Sequence, residues 1–511
     1  FGPDEIGSLL RQHRIPWNDG LGNGLYESLR IDRKYGLKHT LEAPIFGFEA
    51  PFVDGKWQQF RERYSQEVIQ LASDVLELES VYGGPLGRRG ARLMVLWTRE
   101  YPLAHFLRAY QRNQESVSRE LRRVIGRPLP PVRPEDPRQE ATLTRFWAYV
   151  RHRQGRVTEC QARVLREILG GGLKLAANTH ELPPLDMASQ KRAFDYPAVA
   201  IRPMLISDPL YLKYYAAYFT QLYRDLCGKP PMVSVRVNLS AATPLFIPRA
   251  SLIRHWYDQA VRHGAGAFYF WTRDFPTDCN PASYDGPIPG NPVGSTLPEE
   301  RWRVSLEMLG HLATHRVFRV PPAEVMILVP WDSALLHRAE WRRLYAAFSA
   351  CMEAGVHTRF ISDRRVSKRG IPETTRLILA PVLKFVAPSL RSALTAFAGG
   401  KGTVLLTREA LYDTAGQGRS ALPGATILPK ELFGFFPVGG RSSVAALDRA
   451  AAWVRHEVEQ RGIDDVGWVF DITCGSLPPS SVSQLREADP ELTFEPWQYE
   501  HGSQWIMPYV S

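Results

Sequence analysis

At 511 residues, 44% of them hydrophobic, the chain is too long for one ordinary domain and apolar enough for a large core, which excludes a mainly disordered protein. Lys and Arg outnumber Asp and Glu by 63 to 53, a net charge of +10, yet the excess is Arg scattered through helical stretches such as Arg119 to Arg127. No aromatic-interleaved basic strip appears, so no nucleic-acid partner is expected.

No run of about 18 apolar residues occurs, so no membrane partner is expected. The five cysteines, Cys160, Cys227, Cys279, Cys351 and Cys474, are dispersed without CxxC spacing. That argues against a disulfide framework or a zinc cluster and points to a reducing, cytoplasmic setting with no metal.

Taken in chain order, short apolar runs alternate with helical-period segments, the pattern of repeated βα units. Strands are expected at Arg14–Asn18 (weakly), Lys38–Ile45, Asp74–Ser80, Leu173–His180, Ala198–Met204, Met232–Leu239 and Ala267–Arg273. Helices are expected at Trp57–Leu71, through much of Tyr101–Gly170, and at Tyr211–Cys227 and Ile253–His263. The chain opens at Phe1 without Met, and a first strand just upstream would raise the seven to eight. The expected class is α/β, a (β/α)8 TIM barrel over residues 1–318. An open doubly wound sheet remains the alternative.

After the joint Arg319–Glu324, strands at Val325–Pro330, His357–Ser362, Arg376–Pro381 and Gly402–Thr407 alternate with helices Arg338–Ala354 and Pro388–Ala398, and helix Ser443–Arg461 follows. This is the pattern of a flavodoxin-like α/β domain over 325–511. Neither GxGxxG nor GxxxxGK[ST] opens a helix, so no nucleotide cofactor is expected.

In a barrel the reacting groups come from the C-terminal ends of the strands. Those ends supply Trp17, Asn18 and Asp19; Glu79 and Tyr82; Asn178, His180 and Glu181; Arg202 and Asp208; Asn238; and Trp271, Arg273 and Asp274. Aromatics, amides, carboxylates and Arg on one rim suit a sugar, whose ring stacks and whose hydroxyls pair. Alternation puts Glu77 and Glu79 on one strand face. If that face is inward, Glu79 at the mouth is a general acid with a raised pKa, and Glu77 below it needs a cation such as Arg236. If it is outward, both are solvated. His180 suits a sugar hydroxyl or a structural hydrogen bond, and has no second His at metal-ligand spacing. Trp17 and Trp271 are stacking platforms or core.

Several stretches in order resemble glycoside hydrolase family 42: Glu79-Ser80-Val81-Tyr82-Gly83-Gly84, Phe106–Tyr110, Arg145-Phe146-Trp147, Leu175-Ala176-Ala177-Asn178, and Trp256–Ala260 running to Phe270-Trp271-Thr272-Arg273. The resemblance implies β-galactosidase-type activity on a carbohydrate substrate. It also implies a glutamine-amidotransferase-like second domain that serves a homo-oligomer, a trimer being favoured.

Three departures stand out. The family's acid/base Glu follows Asn and precedes Tyr-Gly-Gly, whereas Val81 precedes Tyr82 here. The family's nucleophile is a Glu ending strand seven, and Met232–Ser240 holds no carboxylate. The zinc-binding cysteines of some members are replaced by Pro85–Ala91. The expected function is therefore a glycosidase with Glu79 as general acid/base and Asp274, Glu181 or Asp208 as second carboxylate. The alternative is a diverged barrel that binds carbohydrate or acts in assembly.

Overall fold

The structure is a computed structural model. It describes mainly residues 57–81, 93–97, 136–170, 173–178, 187–201, 209–236, 250–271, 322–334, 338–437 and 441–463, with short strands at 17–19, 38–42, 469–471 and 475–477 and a few single positions. The first part alternates strands β1 (Trp17–Asp19), β2 (Lys38–Glu42), β3 (Leu93–Trp97), β4 (Lys174–Asn178), β5 (Ala198–Ile201), β6 (Met232–Arg236) and β7 (Ala267–Trp271) with helices. Those helices are α1 (Trp57–Val81), α2 (Pro137–Leu169), α3 (Met187–Ala193), α4 (Pro209–Leu212), α5 (Tyr215–Cys227) and α6 (Ala250–Arg262).

Strands β1 to β4 pair in parallel and in sequence, as do β5 to β7. The two groups meet where Tyr196, ahead of β5, bridges Ala176 in β4. Strictly sequential, all-parallel order with helical crossovers is what a (β/α)8 barrel requires, and a doubly wound sheet would reverse direction at one strand.

One expected strand is a helix. Asp74–Ser80 forms the last third of α1, whose apolar stripe runs through the buried Phe60, Tyr64 and Val68 to Leu71. Continuing at helical spacing, the stripe reaches Val75 and Leu78, so the apparent two-residue alternation is helical period sampled over too short a window. The strand at this place in the order is β3, the apolar run Leu93-Met94-Val95-Leu96-Trp97, which pairs with β2 and β4.

Helix α2 joins the barrel to the second unit. Asp136 caps it by accepting a hydrogen bond from the Gln139 amide at 2.8 Å, Pro137 opens it, and Gly170 at φ 100° ends it. Near its C-terminal end, Arg166 donates to the Ala193 carbonyl at 2.9 Å. Near its start, Glu140 receives Lys384, and further along Arg151 meets Asp332, both in the second unit.

That unit is a parallel sheet of β8 (Val325–Val329), β9 (Thr358–Ser362), β10 (Leu377–Ala380), β11 (Thr403–Leu406) and β12 (Thr426–Ile427). The order is β12-β11-β10-β8-β9. Helices α7 (Trp331–Ala334), α8 (Arg338–Glu353), α9 (Asp363–Arg369), α10 (Pro388–Ala398) and α11 (Val444–Gln460) connect or flank it, and a short antiparallel pair, β13 (Val469–Asp471) with β14 (Gly475–Leu477), follows.

Strand β8 is buried on both faces: Val325, Ile327 and Val329 belong to a core shared with α5, α8 and α11, and Met326 and Leu328 to one shared with α10. The shared core is aromatic, with Tyr218 of α5 4.9 Å from Tyr345 and 5.5 Å from Phe360 between ring centres. Helix α5 also covers the edge of the sheet. Gln221 donates to the Thr358 carbonyl, and Asp225 accepts the Phe360 amide at 2.9 Å. Residues four apart on one helix thus satisfy alternate backbone groups of edge strand β9, which would otherwise lie open for pairing.

Two predictions arise from this joint. Gly416 adopts φ +74°, and a Cβ there would stand 2.2 Å from the Pro137 carbonyl at the start of α2. Gly416→Ala is therefore expected to cost more than about 1 kcal/mol in chemical denaturation; an unchanged midpoint contradicts the close approach.

The second concerns His263, buried beside Phe348 and bonded through Nδ1 to Gln221. Burial, then His357, Arg262 and Arg224, lower its pKa to about 3. The unfolded chain takes up that proton near 6.5 and the folded chain does not, so this stability is present above 6.5 and is lost as pH falls towards 3. His263→Gln should flatten the fall in thermal stability between pH 6.5 and 4. Parallel profiles for the two proteins would rule this out.

Candidate active site at the strand ends

The C-terminal edge of the seven-strand array is built from Asp19, Glu42, Trp97, Asn178, Ile201, Arg236 and Trp271, the last residues of β1 to β7. Register sets several of them level. Trp97 pairs with Asn178, and Arg236 pairs with Trp271. On β7, Phe268 packs on Tyr257 of α6 at 4.7 Å between ring centres, so that face of the strand meets the helix layer. Alternation places positions 267, 269 and 271 on the opposite face. Parallel partners share a face, so positions 234 and 236 of β6 lie there too. Ser234 is buried on that face, and its hydroxyl makes no hydrogen bond among the described residues.

The structure brings part of the expected site to this edge. Trp17, Asn18 and Asp19 form β1, Asn178 ends β4 and Trp271 ends β7. Tyr82, His180, Glu181, Arg202, Asp208, Asn238, Arg273 and Asp274 lie outside the described residues. In sequence, Arg202 follows the end of β5 by one position, Asn238 that of β6 by two, Arg273 that of β7 by two, and His180 that of β4 by two.

Glu79 is not at a strand end. It lies in the last turn of α1, a crossover that carries the chain from the C-terminal end of β2 back to the start of β3. Its level is therefore towards the opposite edge of the sheet, which removes the ground for placing Glu79 at the mouth and for pairing Glu77 with Arg236 inside the barrel. Sequence reasoning missed Trp97 and the segment after it. The signal was present: five apolar residues bounded by Gly90 and Pro102.

The N-terminal edge has a different chemistry. Asp195 accepts hydrogen bonds from the Leu175 amide at 3.0 Å and from Arg166 at 3.2 Å, with Lys174 3.4 Å away. Burial raises its pKa, but these donors outweigh burial and hold the carboxyl below its ordinary value. Lys229 donates to the Phe194 carbonyl at 2.6 Å. Arg166, Lys191, Arg192 and Lys229 all lie in the last turn of a helix or just past it, where cations complement the helix dipole. This edge serves stability.

A groove of about 830 Å³ runs outside the sheet between α1 and α2, lined by Trp57, Arg61, Arg156, Glu159, Cys160 and Arg163 among others. It contains none of the expected site residues. Among the described residues no group of three or more His, Cys, Asp or Glu is placed to hold a metal ion, and no helix is long and apolar enough to cross a membrane.

No family model matches the chain, and no curated protein matches it. Solved structures do. A β-galactosidase from the Antarctic haloarchaeon Halorubrum lacusprofundi superposes with a TM-score of 0.59 at 14% identity, covering 82% of this chain and 73% of that one. The β-galactosidase from the psychrophilic Marinomonas ef1 gives 0.56 at 16% identity, over 82% and 76% of the two chains. A GH42 β-galactosidase from G. stearothermophilus gives 0.56 at 13% identity, over 82% and 72%. The strand order, the crossovers and these superpositions agree: the chain has the fold of the GH42 β-galactosidases, a TIM barrel in its first part.

Proposed function

We propose that the chain is a glycoside hydrolase acting at the C-terminal mouth of its barrel on a β-galactoside-like or related glycan. The observation that carries this reading is the position of β3. Three residues past its last residue, Trp97, stands Glu100, followed by Tyr101. The family's acid/base Glu follows Asn and precedes Tyr-Gly-Gly just after a barrel strand; here Arg99 stands for the Asn and Pro102-Leu103 for the two glycines. Glu100, in place of Glu79, is the general acid. Asp274 or Glu181 supplies the second carboxylate, a separation of about 6.5–9.5 Å favouring inversion and about 5 Å retention. Trp17, Asn18, Asp19, Asn178, His180, Arg202, Asn238, Trp271 and Arg273 contact the sugar. The second unit, from 325 onward, is a flavodoxin-like domain in a homo-oligomer, a trimer by analogy; light scattering of a species near 58 kDa alone would count against that.

One observation favours a second reading. Strand β6 ends on Arg236 where the family carries its nucleophile, and holds no carboxylate. A barrel altered in this way binds a glycan without cleaving it. The test is a panel of aryl glycosides with sugar titrations alongside. Turnover that is lost in Glu100→Gln supports the hydrolase; sugar binding without turnover supports the second reading; neither binding nor turnover overturns both.

A further inference from the structure

We propose that the groove between α1 and α2 is a second carbohydrate site, which holds a neutral oligosaccharide against Trp57 on the outer wall of the barrel. The choice of a glycan rests on the carbohydrate reading of the chain; the place and chemistry of the groove do not involve the strand ends.

The groove follows from how the two helices pack. Both are crossovers between parallel strands and run in one direction, so Trp57 stands beside Arg153 and Arg156, and Arg61 beside Glu167. Phe60, Tyr64 and Val68 take the buried face of α1, and Val157 and Val164 that of α2. The residues left facing each other outside are long and polar, and about 830 Å³ opens between them. That lies within the range of small-molecule sites, about 300–1,000 Å³.

The lining narrows the occupant. Apart from Trp57 and Cys160, every described residue of it is polar, which leaves no apolar stripe for a partner helix. Arg61, Arg156 and Arg163 stand with Glu62 and Glu159, so the signs nearly balance and favour a neutral ligand. Burial, opposed by Arg61 and Arg163, holds the Cys160 thiol above its ordinary pKa, so the groove carries no ready nucleophile. A molecule rich in hydroxyls fits what remains. Carboxylate and amide oxygens accept from it, guanidinium and amide N–H groups donate to it, and an indole meets the apolar face of a sugar ring.

Much of this wall is fixed in advance. Arg192 donates to Glu159 at 2.6 Å, Arg61 to Glu167 at 2.9 Å and Gln58 to Glu62 at 3.0 Å. Phe60 meets Trp57 edge-on at 6.3 Å, and the guanidinium groups of Arg153 and Arg156 lie 5.9 and 5.4 Å from its ring centre. The indole is thus held in place while half-buried. Gln66 and Arg163 make no hydrogen bond or ion pair among the described residues, which leaves their donors for a ligand. Trp57 opens α1, so it marks the end of the groove nearer the mouth edge, and a glycan lying there has one end towards the mouth.

The full-length protein is titrated calorimetrically with β-1,4-linked galacto-, manno- and gluco-tetrasaccharides, over times too short for product to form. At least one is expected to bind. Trp57→Ala should weaken that tetrasaccharide by roughly tenfold, while turnover of a small aryl glycoside, which reaches only the mouth, stays within about twofold. A second readout needs no variant and decides the matter if Trp57→Ala does not fold. The bound tetrasaccharide should slow alkylation of Cys160, followed by peptide mass, by roughly threefold or more, and galactose should not, since thiol reactivity follows exposure.

Equal affinity in Trp57→Ala, or Cys160 alkylated at the same rate with the tetrasaccharide bound, overturns the groove site and leaves the carbohydrate reading standing. So does turnover of an aryl glycoside with no tetrasaccharide bound. Neither binding nor turnover overturns the carbohydrate reading itself, and the groove site with it.

Discussion

Asp225→Ala is expected to destabilise the protein by about 3 kcal/mol, among the largest effects available outside the strand-end site. Asp225 is 7% exposed, on α5 of the barrel part, and reaches across to the second unit. There it accepts Arg359 Nε at 2.8 Å and the Phe360 amide at 2.9 Å. Truncation leaves the Phe360 N–H, part of an edge strand held against α5, without its acceptor, and a buried unsatisfied donor costs about 1–3 kcal/mol. It also strands the Arg359 guanidinium. That side chain is one-quarter exposed and can turn to water, so the estimate sits at the lower end of the 3–5 kcal/mol range for breaking a buried pair. Asp225→Asn retains one acceptor and should fall between. The control is Arg61→Ala, which breaks an exposed pair with Glu167 on the barrel surface and should change stability by less than about 0.5 kcal/mol. Urea midpoints for the variants decide the matter. Equal midpoints for Asp225→Ala and Arg61→Ala would mean that α5 does not cap the sheet edge.

Residues that pack on two sides were the ones most plainly legible in the sequence. Val325–Val329, Thr358–Ser362, Leu377–Ala380 and Thr403–Leu406 lie within a residue or two of their expected bounds, because strands buried on both faces are continuous apolar runs between polar turns. The barrel strands at 174–178, 198–201, 232–236 and 267–271 were equally clear at their starts. Their expected ends, such as Asn238 and Arg273, lie outside the described residues. Strand β12 has two residues, both exposed, and is held by β11, so no local signal marks it.

The error at Asp74–Ser80 has a definite physical source. Val75-Leu76-Glu77-Leu78-Glu79 alternates by twos over five residues, and over that span a helix with apolar positions at 71, 75 and 78 looks the same. Length separates the cases: 25 residues of unbroken helical period outweigh five of strand period. The consequence passed directly to function. A strand read over Asp74–Ser80 puts Glu79 at a strand end, whereas the helix puts it in the last turn of α1.

That difference yields the second large effect, and it separates the two glutamates without a structure of a complex. Removal of a general acid lowers turnover by roughly 10²- to 10⁴-fold. Glu100→Gln is expected to fall in that range on an aryl glycoside that the protein cleaves, with its KM changed far less, because a neutral amide of the same shape still fills the site but has no proton to give. Substrates with good leaving groups need less protonation, so the loss should shrink as the aryl group becomes more acidic. Glu79→Gln, in a helix turn towards the other edge of the barrel, is expected to leave turnover within about twofold. A reversed result, Glu79→Gln inactive and Glu100→Gln intact, would contradict the assignment and with it the use of β3 to locate the mouth. Loss in both, with melting temperatures unchanged, would require a path from α1 to the site that the strand order does not provide. Strand β6 adds one further constraint. It holds no carboxylate, so any turnover must draw its second carboxylate from elsewhere, and the anomeric configuration of the product tells a widely spaced pair, which inverts, from a close pair, which retains.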